Sequence, residues 1–310
     1  MENFDIIIIG AGPAGLTAGL YAGRQNSKAL ILDKGLTGGL GLEVPMMENY
    51  PGFEAISGMD LIVKMKNQTE RFCEIREHIM IKSIKNVDDG FLLEVKSIHS
   101  LEEKIDEIFA KSIVLATGAS HRHLNVPGEE EFLGRGVSYC ATCDGMFFTG
   151  RDTLMIGGGN SAAQEAIFLK NLGANVKLVH SGRKLRCDKH LLDLLNEKEI
   201  PIILNARPKE IKGNMMVESV LFTIDGKEEE IPTNGVFISL IGNNPSNELA
   251  IELNIALDED GYIITDKNQA TNLKGVYAAG DITGGLKQWV VACSEGAIAA
   301  TSAYKSLEKL

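Results

Sequence analysis

The chain has 310 residues, 44% hydrophobic and 24% charged, with 31 basic against 42 acidic side chains and a formal net charge of −11. That length favours two domains, each able to bury a core, and the composition excludes a disordered, collagen-like or disulfide-scaffold chain. No Lys/Arg stripe is dense enough to follow a phosphate backbone, so no nucleic acid partner is expected, and no apolar run approaches the roughly 18 residues of a membrane span.

The N-terminus passes from Met1-Glu2-Asn3-Phe4-Asp5 straight into Ile6–Ile9, without a basic n-region or cleavage site. A cytoplasmic protein is expected. Residues 5–9 form a continuous apolar β-type run, as for a central parallel strand buried on both faces. The run leads into Gly10-Ala11-Gly12-Pro13-Ala14-Gly15, then a helical stretch through about Arg24, then a second apolar strand at 29–32 that ends at Asp33. Strand, glycine turn, helix, strand and acid, in that order, make the βαβ unit of a dinucleotide fold. Gly10 permits the tight turn, Gly12 lets the backbone approach a pyrophosphate, and Gly15 lets helix and strand pack closely, while the helix N-terminus directs N–H groups at phosphates. Asp33, eighteen residues after Gly15, stands where a carboxylate accepts ribose hydroxyls.

Residues 79–85, 91–96 and 108–110 then predict an antiparallel meander, and 112–116 a further strand ending in Thr117-Gly118. In mid-chain the first pattern recurs: a strand at 153–156, the turn Gly157-Gly158-Gly159-Asn160-Ser161-Ala162, a helix at 163–172 and a strand at 175–179. The tail holds Gly275-Val276-Tyr277-Ala278-Ala279-Gly280-Asp281, a strand running into a glycine and an acid, followed by a long helical pattern. The expected fold is therefore α/β, with two Rossmann-like three-layer (ββα) nucleotide-binding domains. The first is discontinuous, residues 1–118 and 244–310, and the second, 119–243, is inserted into it.

Five cysteines, Cys73, Cys140, Cys143, Cys187 and Cys293, are too few and odd in number for a disulfide framework. The run Cys140-Ala141-Thr142-Cys143-Asp144 leaves three readings. A structural zinc site needs four ligands at short spacings; there is no second CxxC, His121 and His123 would join only through tertiary proximity, and no metal is expected. A pair of inert buried thiols is the second reading. The third is redox chemistry, since two cysteines three apart close into a reducible disulfide and the adjoining Asp144 supplies a proton. The other three cysteines read as small core or surface residues, and Glu228-Glu229-Glu230 as a solvated turn.

Over almost its whole length the chain resembles the low-molecular-weight thioredoxin reductases, the second class of pyridine nucleotide-disulfide oxidoreductases. The resemblance is carried by Gly10 to Gly15, Glu48-Asn49-Tyr50-Pro51-Gly52, Ala116-Thr117-Gly118, Cys140 to Gly145, Gly157 to Ala162 and Ala279-Gly280-Asp281. The CATCDG run just before a second glycine motif separates this class from relatives whose cysteines lie near the N-terminus. The resemblance implies FAD in the first domain, held by Gly10, Gly12, Pro13, Ala14 and Gly15, by Asp33 and Lys34, by Gly39, Leu40 and Asn49, and by Thr117, Gly118, Gly280 and Asp281. Lys287, Gln288 and Trp289 would lie beside the isoalloxazine ring. It also implies that Cys143 faces the flavin, that Cys140 attacks the disulfide of thioredoxin or a glutaredoxin-like protein, and that Asp144 is the general acid. A homodimer and two alternating domain orientations belong to the same expectation.

Three departures stand out. Gly38-Gly39-Leu40 replaces a Gly-Gly-Gln, and Lys287-Gln288-Trp289 replaces an Arg-Gln-Ala, bringing a large aromatic to the ring. NADPH-dependent relatives carry His-Arg-Arg-x-x-x-Arg after the second strand of the inserted domain, because guanidinium groups grip the 2′-phosphate. Here that stretch is His180-Ser181-Gly182-Arg183-Lys184-Leu185-Arg186, and the acid expected for a free 2′-hydroxyl is absent as well. Gly157, Gly159, Asn160, Ser161, His180, Arg183 and Arg186 are thus candidate nicotinamide nucleotide residues with a degenerate 2′-phosphate motif, and NADPH, reduced deazaflavin or ferredoxin stand open as the donor. Two rival functions use the same residues: a flavin-dependent dithiol oxidase that passes electrons to oxygen, and a redox sensor without turnover.

Overall fold

The protein is described from a computed structural model, which covers residues 1–99, 105–240 and 244–308. The chain folds into two compact units, one of residues 1–42, 47–120 and 244–310, the other of 43–46 and 121–243. The expected break between 243 and 244 adjoins residues 241–243, which lie outside the described residues, as do 309 and 310 at the expected end of the first domain.

In the first unit, Glu2–Ile9 pairs in parallel with Ala29–Leu32 on one edge and with Asp106–Leu115 on the other. Glu74–Arg76 extends the sheet beyond Ala29–Leu32. The far edge of Asp106–Leu115 is shared: Gly90–Ser97 runs antiparallel beside its N-terminal half, with Ile79–Val87 beyond, and Val276–Ala278 runs parallel beside its C-terminal end. Alternate residues of the first strand enter different cores. Ile7 and Ile9 pack with Leu30, Leu32, Phe91 and Leu93 on one face. Ile6 and Ile8 pack with Leu16, Ile31, Ala299 and Ala300 on the other. Burial on both faces is why the strand reads as an unbroken apolar run.

The helix Pro13–Arg24 opens with proline at its first position, where the missing N–H costs no hydrogen bond. It packs against the C-terminal helix Trp289–Leu307 through small residues, and a Cβ on Gly296 would stand 2.1 Å from the Ala14 carbonyl oxygen. The strands expected separately at 108–110 and 112–116 are one strand, Asp106–Leu115. The polar break between them is accommodated, with Lys111 exposed and the Ser112 hydroxyl donating to the Gly275 carbonyl at 2.8 Å.

The second unit has a parallel sheet ordered Ile202–Ile203, Asn175–Val179, Asp152–Gly157, Gly235–Ser239, Val137–Ser138. Met155, Leu178 and Phe237 face the helices Asn160–Asn171 and Lys189–Glu197, burying Ala163, Ala166, Leu169, Leu191 and Leu195. Leu154, Ile156, Val179 and Ile238 face a three-stranded antiparallel sheet, Ala206–Gly213, Val217–Ile224 and Lys227–Pro232, through Ile211, Val220, Phe222 and Ile231. The helix expected from 163 starts three residues earlier, directly at the glycine turn, as the first unit's helix does. Glu228-Glu229-Glu230 corrects the expectation of a turn: the three lie within a strand whose exposed side pairs Glu228 with Lys209 and Glu230 with Lys212, and the turn itself is Asp225-Gly226.

Candidate functional site

The first glycine turn behaves as three different demands predict. Gly10 has φ +107°, and a Cβ there would lie 2.2 Å from the Ala116 carbonyl oxygen; one on Gly15 would lie 1.8 Å from the Gly10 oxygen. Gly12 differs, because a Cβ would meet only the Gly38 oxygen, at 4.0 Å. Packing within the chain therefore requires Gly10 and Gly15 to be bare, whereas the space beside Gly12 is left for something outside the chain. The helix that follows has no side-chain cap and no acid in its first turn, so its leading N–H groups suit an anion. Asp33 ties this turn together: its carboxylate accepts the Ala11 N–H at 2.6 Å and the Gly35 N–H at 2.7 Å. These residues fit the dinucleotide part of FAD.

The remaining candidates converge on the same unit from three segments. Gly38 donates to the Ala11 carbonyl at 2.9 Å, and space is open beside Gly39 and Gly118, both with positive φ. The Asn49 amide donates to Gln288 at 2.9 Å, and Trp289 lies edge-on to Tyr50 with its indole against Gly41. Thr117 donates to the Ser246 carbonyl at 2.7 Å. Gly280, with φ +84°, gives its N–H to Glu295 at 2.7 Å, and burial pushes both Asp281 and Glu295 above the usual carboxylate range. Lys287 is held on the Tyr262 hydroxyl, 4.4 Å above that ring. Lys34, which follows Asp33, is exposed, and Leu40 is half-buried in the short helix Gly39–Glu43.

Cys140 and Cys143 are joined as a disulfide. Cys140 N-caps the short helix Ala141–Asp144, and its sulfur accepts the Cys143 N–H at 3.1 Å with the Thr142 hydroxyl 3.3 Å away. A thiolate at Cys140 is thereby stabilised by a backbone donor and the helix N-terminus. Cys140 is buried, however, and Cys143 exposed. This is the reverse of the exposure that the expected attack by Cys140 on a partner would require. Asp144 sits at the end of the same helix and gives its N–H to the Cys140 carbonyl at 3.2 Å.

The sequence signals did not reveal two neighbours of this pair. Met146 and Phe147, three and four residues after Cys143, are 74% and 73% exposed, an apolar step on the surface. Tyr139, immediately before it, donates to buried Glu129 at 2.6 Å and meets His123 Nδ1 at 2.8 Å, and His121 stacks on its ring while pairing with Glu43 at 2.8 Å. Burial and the Glu129 carboxylate push the Tyr139 phenol well up. Among the described residues no group of three or more His, Cys, Asp or Glu is placed to hold a metal ion, and no described helix is long and apolar enough to cross a membrane.

The second glycine turn uses its candidates differently. His180 occupies the place that Asp33 has in the first unit, but its imidazole packs on the backbone: a Cβ on Gly158 would stand 2.3 Å from its Nδ1. Burial, together with Arg186, lowers its pKa, against a bond to the Gly157 carbonyl. Arg186 gives its N–H to the Gly158 oxygen. Asn160 exchanges two hydrogen bonds with Asp188, both at 2.8 Å, so its amide is already engaged. Within the helix behind the turn, Glu165 is buried; one oxygen accepts from Ser239 at 3.0 Å and the other has no partner among the described residues. Burial raises its pKa to about 8, with Glu43 adding to the effect.

Residues 4–296 match the pyridine nucleotide-disulphide oxidoreductase family. The chain is 39% identical to the thioredoxin reductase of Listeria monocytogenes over 99% of its own length and 95% of the relative's. The Bacillus subtilis thioredoxin reductase is 38% identical over 99% and 96%. The crystal structure of T. acidophilum thioredoxin reductase superposes with a TM-score of 0.93 at 38% identity, covering 99% of this chain and 100% of that one.

Proposed function

The chain belongs to the pyridine nucleotide-disulphide oxidoreductase family, in its low-molecular-weight thioredoxin reductase class, and on that premise we propose how its residues divide the work of an FAD-dependent thioredoxin reductase. FAD would be held in the first unit by Gly12 and the helix N-terminus that follows it, by Asp33, and by Asn49, Gln288 and Trp289. When bound and reduced by the electron donor, the flavin would supply two electrons to the disulfide. Cys143 is the sulfur that receives them, and the Cys140–Cys143 bond breaks to leave Cys140 as a thiolate steadied by the Cys143 N–H.

Cys140 then attacks one sulfur of the partner disulfide, whose other sulfur leaves and takes a proton carried by Asp144. Cys143, deprotonated, attacks the Cys140 sulfur of the mixed disulfide, re-forming the internal bond and releasing the partner as a dithiol. Exposed Met146 and Phe147 give a protein substrate an apolar footing beside the pair. The partner is thioredoxin or a glutaredoxin-like protein, and the setting a cytoplasmic homodimer.

The observation that carries this reading is the Cys140–Cys143 disulfide capping a helix N-terminus in a chain that also bears an open glycine cradle at Gly12. The test is anaerobic stopped-flow, following flavin bleaching with NADPH, NADH, reduced deazaflavin and reduced ferredoxin in turn, then reoxidation by oxidised thioredoxin. Fast bleaching by one donor and reoxidation by thioredoxin are expected. Rapid peroxide formation from oxygen and a dithiol, with no reoxidation by thioredoxin, would overturn it.

A further inference from the structure

We infer that Arg183 and Arg207 form a recognition site for the phosphomonoester of a 2′-phosphorylated adenine nucleotide, assembled outside the glycine-turn motif. The inference rests on the reading of the second unit as a nucleotide-binding unit for the electron donor. A cleft of about 430 Å³ lies within that unit, between the loop after Asn175–Val179, where Ser181, Gly182 and Arg183 line it, and the antiparallel sheet, where Arg207, Thr223 and Asp225 do. It opens at the C-terminal end of a parallel strand, where sheets of this kind take their ligands.

The residue that usually reads the 2′-position is engaged elsewhere. The His180 ring fills the space over Gly158 and Gly182 and is engaged there; burial and the neighbouring Arg186 lower its pKa, which disfavours the imidazolium that would bind a ribose phosphate. The cleft supplies the cations instead. Neither guanidinium has an ion-pair partner among the described residues. The one carboxylate present, Asp225, already accepts from the Asn205 amide at 2.9 Å. Two guanidinium groups against one carboxylate leave the cleft cationic in a chain of net charge −11, and the Ser181 and Thr223 hydroxyls add donors. Planar guanidinium forks suit the oxygens of a phosphate dianion.

The two arginines come from different elements, yet their spacing is set by backbone. Asn205 gives its N–H to the Gly182 carbonyl at 3.0 Å and Ala206 gives its N–H to the His180 carbonyl at 3.0 Å. The start of the Ala206–Gly213 strand is thus laced to the loop that carries Arg183, and Arg207 follows one residue later. Nothing in the glycine-turn motif points to Arg207; only the fold brings it there.

The test is isothermal titration of the flavin-loaded protein with adenosine 2′,5′-bisphosphate and, separately, with adenosine 5′-monophosphate. The bisphosphate is expected to bind at least about tenfold more tightly, and Arg207→Gln and Arg183→Gln each to remove about tenfold of its affinity while leaving the monophosphate's alone. Equal affinity for the two probes in the wild-type protein overturns the site without recourse to any variant, and so does a bisphosphate affinity that neither substitution changes. Binding is read apart from turnover. A protein that reduces thioredoxin but does not prefer the bisphosphate refutes the site and leaves the proposed function; one that prefers the bisphosphate through both arginines but reduces no protein disulfide upholds the site and refutes the function.

Discussion

Glu165→Gln isolates the cost of one buried carboxyl. In the folded chain its pKa is raised from 4.5 to about 8, chiefly by burial, while one oxygen accepts the Ser239 hydroxyl. For a carboxyl raised on folding, the stabilising proton is fully bound below the unfolded value and is lost as pH climbs through the folded one. Stability that depends on Glu165 is therefore complete below pH 4.5, declines at ~1.4 kcal/mol per pH unit above it, and is gone beyond about pH 8. The interval amounts to roughly 5 kcal/mol, of which about 3 is already lost at pH 7. Gln keeps the carbonyl that Ser239 needs and does not titrate. Urea unfolding followed by circular dichroism at pH 5, 6, 7 and 8 reads the difference between the two proteins, in which the other carboxylates cancel. The variant should match the wild type at pH 5 and exceed it by several kcal/mol at pH 8. A difference that stays constant with pH, or one that moves toward the wild type as pH rises, refutes the reasoning.

The glycine turn makes opposite forecasts for neighbouring residues. Gly12→Ala should unfold within about 1 kcal/mol of the wild type yet lose flavin on desalting, because its Cβ enters space the chain leaves open, whereas Gly15→Ala should lose several kcal/mol through collision with the Gly10 carbonyl; thermal unfolding paired with the visible flavin spectrum checks both. Cys140→Ser should abolish thioredoxin reduction while the donor still bleaches the flavin, a result that steady-state turnover and anaerobic stopped-flow separate. Cys73, with its thiol pushed up to about 12 chiefly by burial, holds well under ~0.1% thiolate at pH 8 and should take iodoacetamide only after unfolding, as mass spectrometry of the labelled peptide will show.

What was legible in the amino-acid order is what depends on neighbours in the chain. The turn at Gly10 to Gly15, the acid at Asp33 and the CxxC pair are each set within a few turns of backbone, and the strand 275–281 betrays the return to the first unit because it repeats the first unit's apolar character. A second sheet in the second unit belongs to the three-layer expectation, but its strands were not located in the sequence. Its buried side, Ile211, Val220, Phe222 and Ile231, is interleaved with exposed lysines and glutamates, and three consecutive glutamates look like a loop until Lys209 and Lys212 are seen across from them. The cluster of Tyr139, His123 and Glu129 was invisible for another reason: its members lie up to 16 residues apart and meet only when a loop folds back. His180 shows the limit of reasoning by equivalence, since it holds the register of Asp33 but props a turn where Asp33 bonds one.

The way the chain leaves and re-enters the first unit has a consequence for its modularity. Ala119–Ser120 on the way out pairs antiparallel with Asn244–Pro245 on the way back, and Thr117 and Gly118 both bond to Ser246. The two ends of the interruption are thus neighbouring strands of one small ribbon, as close as the arms of a hairpin. A tight two-residue turn has the span to replace everything from 121 to 243, so the first unit can be made as a continuous minidomain, and foreign domains with adjacent termini can be spliced onto the same ribbon. The ribbon is a ready-made junction, one at which a gene encoding a single nucleotide-binding domain accepts a second without disturbing the first.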